Sequence, residues 1–161
     1  MLKQHFCSTS ATELLSRENT LAVMPLNVQC EAFGNGLIAT GLEEASANSI
    51  NEIWTVNGKV SRGQSNHCYW SKTPDIICVA RWLSKDECEN IEQHTQIAYE
   101  AMLTVLDEHG FAHPFRFWNY LPSINTGDGD DEVYKKFCTG RLHAFEKKTY
   151  HRSVSWALHQ K

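Results

Sequence analysis

The sequence lacks the features that would place the protein in or across a membrane. No segment approaches the ~18 consecutive apolar residues of a membrane span. Residues 1–5 lead into a mixed polar stretch, without the apolar run that a signal peptide has. These absences predict a cytoplasmic protein that has no membrane partner.

An excess of positive charge is absent as well. The 161 residues carry a formal net charge of -4, which gives no strong positive field of the kind that general nucleic-acid binders use. We therefore expect no nucleic-acid partner. The 42% hydrophobic and 21% charged residues are typical of one globular domain.

Motifs for common catalytic and metal centres are missing too. The histidines form no H-E-x-x-H motif, and no G-x-S-x-G nucleophile motif is present. Gly34 and Gly36 lack the third glycine of a dinucleotide fingerprint, and residues 126–131 lack the twelve-residue pattern of a calcium loop. We therefore expect no metal, no cofactor and no acyl-enzyme chemistry. The cysteines form no C-x-x-C pair, which predicts reduced thiols at Cys7, Cys30, Cys68, Cys78, Cys88 and Cys138.

The patterns that are present indicate an α+β fold, with an antiparallel or mixed sheet and two helices packed on one face. Strand patterns, separated by turn signals, occupy residues 21–24, 52–56, 67–70 and 76–82. Residues 1–20 show little apolar rhythm, which predicts a mobile lead-in. The folded domain is expected over residues 21–150 and a divergent tail over residues 151–161.

Two helices are predicted in the second half of the chain. Ser84 and Glu87 have the spacing of a capping box, and apolar residues then recur at helical steps until Gly110, which is typical of a helix end. A second helix is expected to begin at Asp130 or Asp131. Its buried face would carry Val133, Phe137, Gly140 and Ala144.

A candidate binding surface is predicted in the part of the sequence that joins the two helices, where residues 116–120 are expected to form a strand. Alternation along a strand places Arg116, Trp118 and Tyr120 on one face and Phe117, Asn119 and Leu121 on the other. A guanidinium fork fits a carboxylate in bidentate fashion, so Arg116 beside two rings suits a small anionic ring compound. The alternative is a surface arginine stacked on tryptophan without a ligand.

Two segments, together with the strands from Glu52 to Trp82, carry a resemblance to a known family. They are R-F-W-N-Y-L-P-S-I-N over residues 116–125 and Y-x-x-F-C-T-G-R-x-x-A-F over residues 134–145. In both the chain resembles the chorismatases, a family also described as pteridine-dependent deoxygenase-like proteins. The resemblance covers residues 50–146 and implies a YjgF/RidA-like fold and the hydrolytic removal of pyruvate from chorismate.

The resemblance also implies roles for four residues. Arg116 and Tyr120 would contact the substrate, and Asn119 or Arg141 would orient the site. Family members look like two fused halves, and the proton donor that the reaction requires belongs to the second half. We therefore expect this chain to be an N-terminal half that is incomplete for catalysis, and no catalytic residue is assigned.

Two other functions are compatible with the same residues. One is a stand-alone RidA-like homotrimer that binds small acids or hydrolyses imines in clefts between its subunits. The other is a non-catalytic remnant or interaction partner. Neither alternative requires chorismate turnover, so an assay of pyruvate release separates both of them from a complete chorismatase.

Overall fold

The computed structural model describes residues 1–26, 34–41 and 50–158, except for the side chains of residues 149–158. Cys30 lies outside the described residues.

The described strands form two antiparallel sheets of three strands each, so the α+β class is confirmed. The first sheet has the order β1 (Lys3–Cys7), β3 (Asn51–Thr55), β2 (Thr20–Pro25). The second has the order β4 (Ser61–Ser65), β5 (Cys68–Lys72), β6 (Ile77–Ala80).

Four α-helices accompany the sheets in the described part of the chain. They are α1 (Ala11–Ser16), α2 (Lys85–Glu89), α3 (Ile91–Glu108) and α4 (Val133–Leu158), and a short 3-10 helix covers Gly129–Asp131. Helix α1 packs on β2, α3 packs on β5 and β6, and α4 packs on α3. Within these described ranges no helix has the length and apolar content needed to cross a bilayer.

The central strand β3 gives the first sheet two different faces. Ile53 points to the face that α1 covers, where it packs with Leu14 and Val23. Trp54 points to the opposite face, as alternation along a strand requires, and its cluster includes Met24 from the neighbouring strand β2. This second face is the one that the candidate binding surface meets.

The second sheet contains one strand that sequence analysis missed. Strand β4 has no large apolar side chain and shows no apolar alternation, so nothing in its sequence distinguishes it from a loop. It is joined to β5 by Asn66 and His67, whose φ angles of 49° and 58° form the tight turn that hairpins favour. The predicted hairpin around Pro74 is confirmed, because β5 and β6 pair in antiparallel register.

The two sheets are linked by hydrogen bonds at a β-bulge in β2. The register between β2 and β3 shifts between Thr20 and Ala22, which leaves the carbonyl groups of the bulge free for other donors. The hydroxyl of Ser71 in β5 donates to the carbonyl of Leu21. The guanidinium of Arg62 in β4 donates to the carbonyl of Thr20 at 2.6 Å. The sheets are therefore held together by side-chain hydrogen bonds to β2.

The predicted capping box is confirmed, since Ser84 and Glu87 exchange both hydrogen bonds at the start of α2. The predicted single helix is nevertheless divided, because Asn90 ends α2 and its side chain caps α3. Gly110 adopts a φ of 79° and closes α3 as predicted. The amide of Phe111 donates to the carbonyl of Leu106 at 2.8 Å, as in a Schellman motif.

The described structure has secondary structure at both ends of the chain, where sequence analysis predicted a mobile lead-in and a divergent tail. Residues 1–20 contain β1 and α1, and β1 pairs along its whole length with β3. The side chains of β1 are mostly exposed, so no apolar alternation reveals the strand in the sequence. At the other end, the backbone of α4 continues to Leu158, through most of the predicted tail.

The five cysteines in the described part of the chain are free thiols, as predicted. Burial raises the pKa of Cys68 to about 11 and the pKa of Cys78 to about 12. Thiolate is the reactive form of cysteine, so these two side chains remain protonated and unreactive at neutral pH.

Candidate functional site

The predicted strand over residues 116–120 is not a strand in the structure. Residues 113–121 make no backbone hydrogen bond to another described backbone group. We call residues 116–121 the aromatic segment. Its side chains alternate between two surroundings although it has no strand partner: one set meets the first sheet and the other meets α3 and α4. The prediction that alternate side chains of this segment lie on two different faces is therefore confirmed. The predicted hydrogen-bonded pairing with a neighbouring strand is not found among the described residues.

Arg116 lies over two indole rings. Its guanidinium carbon is 4.6 Å from the ring centroid of Trp118 and 5.5 Å from that of Trp54. The two indoles pack edge to face, with centroids 5.2 Å apart, so the tryptophan of the sheet orients the tryptophan of the segment. Arg116 itself is exposed, and no described carboxylate lies within 4 Å of it. Its hydrogen-bond donors therefore remain available to an anion.

Tyr120 lies on the same face as Arg116. Its phenolic oxygen is 4.0 Å from the sulfur of Met24, and 36% of the residue remains exposed. Desolvation raises the pKa of Tyr120, the nearby carboxylate of Glu52 raises it further, and Arg116 partly opposes both effects. Tyr120 is therefore a neutral hydrogen-bond donor at physiological pH, in the same electrostatic environment as Arg116.

Glu52 is a charged residue of this face that sequence analysis did not assign to the site. It is only 7% exposed. Its Oε1 atom accepts hydrogen bonds from Gln4 Nε2 at 2.6 Å and Trp54 Nε1 at 2.8 Å. Alternation along β3 places Glu52 and Trp54 on one face, and a carboxylate beside a core tryptophan is the signal that would have identified it.

The other two predicted site residues meet on the opposite side of the aromatic segment. Asn119 accepts a hydrogen bond from the Tyr99 hydroxyl at 2.8 Å, and the Arg141 guanidinium lies 5.5 Å from the ring of Phe137. Burial raises the pKa of Tyr99, while Asn119 and Arg141 oppose that rise. The four predicted residues therefore lie in two groups: Arg116 and Tyr120 lie on the face that meets the first sheet, and Asn119 and Arg141 lie around Tyr99.

The structure contains a groove elsewhere. It has a volume of about 530 Å³ and lies between the β4–β5 turn and α3, where Arg81 and Glu87 form an ion pair of 2.9 Å. None of the four predicted site residues lines it. Among the described side chains, no group of three or more His, Cys, Asp or Glu residues is placed to hold a metal ion.

Comparison with known proteins identifies the class of protein as chorismatase. The family model described as "Chorismatase FkbO/Hyg5-like, N-terminal" matches residues 52–157, which is more than half of the chain. The protein therefore belongs to the FkbO/Hyg5-like chorismatase family, and the match is to the N-terminal part of that family.

Individual relatives carry related names. A 3-hydroxybenzoate synthase from Streptomyces hygroscopicus is 28% identical over 104 residues, which are 63% of this chain and 30% of the relative. A chorismatase from Streptomyces rapamycinicus is 31% identical over 102 residues, 62% of this chain and 30% of the relative. The chain thus spans about a third of the length of these relatives.

A crystal structure of a chorismatase has a similar fold. It superposes with a TM-score of 0.77 at 21% sequence identity, covering 92% of this chain and 46% of that chain. The likeness establishes a chorismatase-like, YjgF/RidA-like α+β fold, as the family resemblance implies. It also shows that this chain spans about half the length of the solved chorismatase.

Proposed function

We propose that this protein is a chorismatase-like chain that binds chorismate or a related small aromatic carboxylate at the face formed by Arg116 and Tyr120. The reaction of the family would be the hydrolytic removal of pyruvate from chorismate. Membership of the family supports the class of ligand, and the names of the relatives, chorismatase and 3-hydroxybenzoate synthase, agree with it. A carboxylate is the ligand group that this arginine fits.

One observation carries the proposal: the Arg116 guanidinium is held over two indoles and has no carboxylate within 4 Å among the described residues. An arginine in this position is oriented by stacking while its donors stay open. Two other arginines, Arg17 and Arg81, already hold glutamate partners at 3.0 and 2.9 Å. Arg116 is therefore better suited to an external anion than these paired arginines.

The proposal is tested by titrating the chain with chorismate while the fluorescence of Trp54 and Trp118 is followed. Arg116→Ala should weaken binding on the order of tenfold, because one charge-assisted hydrogen bond contributes about 1.5 kcal/mol. Arg17→Ala is the matched control, since it removes an exposed arginine at the C-cap of α1. Equal affinities of the wild type and Arg116→Ala would contradict the proposal.

We also infer that Asn119 and Arg141 orient the site through Tyr99, from the side of the aromatic segment that meets α3 and α4. Since Asn119 and Tyr120 are neighbours in the chain, the hydrogen bond from Tyr99 to Asn119 fixes the backbone that carries the Tyr120 phenol.

The chain matches about 30% of its relatives' length, and we propose that it binds the ligand without releasing pyruvate at an enzymatic rate. A coupled assay for pyruvate tests this point, and turnover would contradict it. The cytoplasmic location remains a prediction, and the homotrimer belongs to the alternative RidA-like function.

A further inference from the structure

The indole of Trp54 makes a hydrogen bond as well as ring contacts. Its Nε1 atom donates to Glu52 Oε1 at 2.8 Å, and the same oxygen accepts a hydrogen bond from Gln4 Nε2 at 2.6 Å. Glu52 and Trp54 are each only 7% exposed. A buried donor and a buried acceptor thus satisfy each other on the face of the first sheet that Arg116 meets.

The register of the first sheet brings these three side chains together. Gln4 of β1 lies opposite Trp54 of β3, and Glu52 lies two residues before Trp54, on the same face of β3. Direct and diagonal neighbours on one face of an antiparallel pair are within reach of long side chains. Gln4 therefore supports the Glu52 carboxylate from a strand that precedes residues 52–157, the range that the family model matches.

The hydrogen bond to Glu52 selects one orientation of the Trp54 ring. The torsion that turns an indole about its bond to Cβ is broad, so a second orientation lies a half turn away. That half turn would carry Nε1 away from Glu52 and leave a buried donor unpaired, which is costly. In the orientation that keeps the bond, the ring lies 5.2 Å from the Trp118 ring and 5.5 Å from the Arg116 guanidinium carbon.

We propose that Glu52 is a positioning residue for Arg116: its carboxylate orients the Trp54 indole, and the indole orients the guanidinium that binds the carboxylate of the ligand. The inference rests on the proposed function and gives Glu52 no contact with the ligand. An arginine that is oriented before binding loses less side-chain entropy when the ligand fixes it. The alternative is that packing in the core cluster with Leu21 and Met24 orients Trp54 by itself.

The test compares Glu52→Gln with Glu52→Leu. Both variants remove the negative charge, and only Glu52→Gln keeps an oxygen that accepts from Trp54 Nε1. Their dissociation constants for 3-hydroxybenzoate, a small aromatic carboxylate, are measured by calorimetry. Glu52→Leu should bind on the order of three- to tenfold more weakly than Glu52→Gln, and by no more than Arg116→Ala loses, since Glu52 acts through Arg116. Equal affinities would show that core packing orients Trp54, and would overturn the inference.

The same comparison in a Trp54→Phe background tests whether Glu52 acts through the indole. Trp54→Phe removes the Nε1 donor and keeps a ring beneath Arg116, so Glu52→Gln and Glu52→Leu should now bind equally. A difference that persists would show that Glu52 acts by another route, and would overturn the inference. Glu52→Met is measured beside Glu52→Leu, because its flexible side chain fills a similar volume without an oxygen. The comparison therefore does not depend on the folding of one variant.

The NMR signal of the Arg116 Nε–H group gives a readout without ligand. The signal is assigned by its loss in Arg116→Ala, and the ring currents of the two indoles should move it upfield of the signal of the exposed Arg17. This upfield shift should fall in Glu52→Leu and remain in Glu52→Gln. A purely structural role of Glu52 would lower the melting temperature and leave the shift unchanged, which would overturn the inference.

The ligand-free signal also separates a failure of this inference from a failure of the proposed function. If the shift changes as expected and the wild type does not bind 3-hydroxybenzoate, Glu52 positions Arg116 and the proposed function is wrong. If the wild type binds the probe, Arg116→Ala weakens that binding and the Glu52 variants differ neither in shift nor in affinity, the proposed function stands and the role of Glu52 is overturned.

Discussion

Gly140 is the residue at which α4 comes closest to α3. A methyl group on its Cα would overlap the carbonyl oxygen of Glu92 and touch the side chain of Thr95. The overlap is with backbone, which cannot rotate away, so the two helices would have to separate. Replacing glycine by alanine inside a helix normally stabilises it by about 1 kcal/mol, and here the packing reverses that sign.

We therefore expect Gly140→Ala to destabilise the protein by about 1–3 kcal/mol, the usual cost of overpacking, and to lower its melting temperature by roughly 2–10 °C. Calorimetry or circular dichroism measures the change. His143→Ala is the control, because His143 is exposed on the same helix and alanine has the higher helix propensity. A Gly140→Ala variant as stable as this control would show that α3 and α4 do not pack at Gly140.

The sequence predicted some of the site and missed the rest for a physical reason. The positions of Arg116, Trp118 and Tyr120 follow from a period of two, which is a local property of the chain. The Glu52 carboxylate accepts a hydrogen bond from Gln4, which is 48 residues away in sequence, and no local pattern contains that contact. Likewise, nothing local shows that Arg141 meets Tyr99 on the far side of the aromatic segment.

Among the secondary-structure elements, the aromatic segment shows what alternation does and does not predict. Alternating burial requires only that side chains meet different surroundings on two sides, whereas a strand also requires a neighbouring backbone. Trp118 meets the first sheet and Phe117 stacks on Tyr99 of α3 at 5.5 Å, so the first condition holds. The second condition, a neighbouring backbone, is not met among the described residues. Strand β4 is the converse case, since it has a partner backbone and no apolar alternation.

This difference makes a prediction for hydrogen exchange. The amides of residues 113–121, where Pro114 contributes none, should exchange rapidly, because none of them donates to a described backbone carbonyl and opening costs little. The amides of β5 should be protected, since that strand is paired on both sides. Exchange is measured residue by residue by NMR, at a pH where both sets of amides are observable.

Protection of residues 113–121 equal to that of β5 would contradict this prediction. It would show that another strand pairs with the segment in solution. Repeating the measurement with bound 3-hydroxybenzoate tests the site as well, since a ligand held by Arg116 and Tyr120 should slow exchange in the segment and leave that of β5 unchanged.

The relation between the two sheets could not be predicted from the sequence. Each hairpin has local signals, such as the Pro74 turn, but the bond from Ser71 to Leu21 joins residues 50 positions apart. It forms because the β-bulge in β2 leaves the Leu21 carbonyl outside the ladder with β3. Ser71 is 2% exposed, so water cannot replace its hydroxyl.

Ser71→Ala should therefore destabilise the protein by about 1–3 kcal/mol, the cost of leaving a buried carbonyl without a donor. Urea unfolding followed by tryptophan fluorescence measures the change. If the two sheets form one cooperative unit, the midpoint should fall while the m-value stays constant, because the surface exposed on unfolding is unchanged.

Ser61→Ala is the matched control for this measurement. Ser61 lies in the same sheet, but its hydroxyl makes an exposed hydrogen bond of 3.3 Å to the Lys72 carbonyl, and water replaces such a bond at little cost. Equal midpoints for the two variants would show that the Ser71 bond does not hold the sheets together. A lower m-value or a second transition in Ser71→Ala alone would show that the sheets unfold separately once the bond is lost, because each would then expose its surface in its own step.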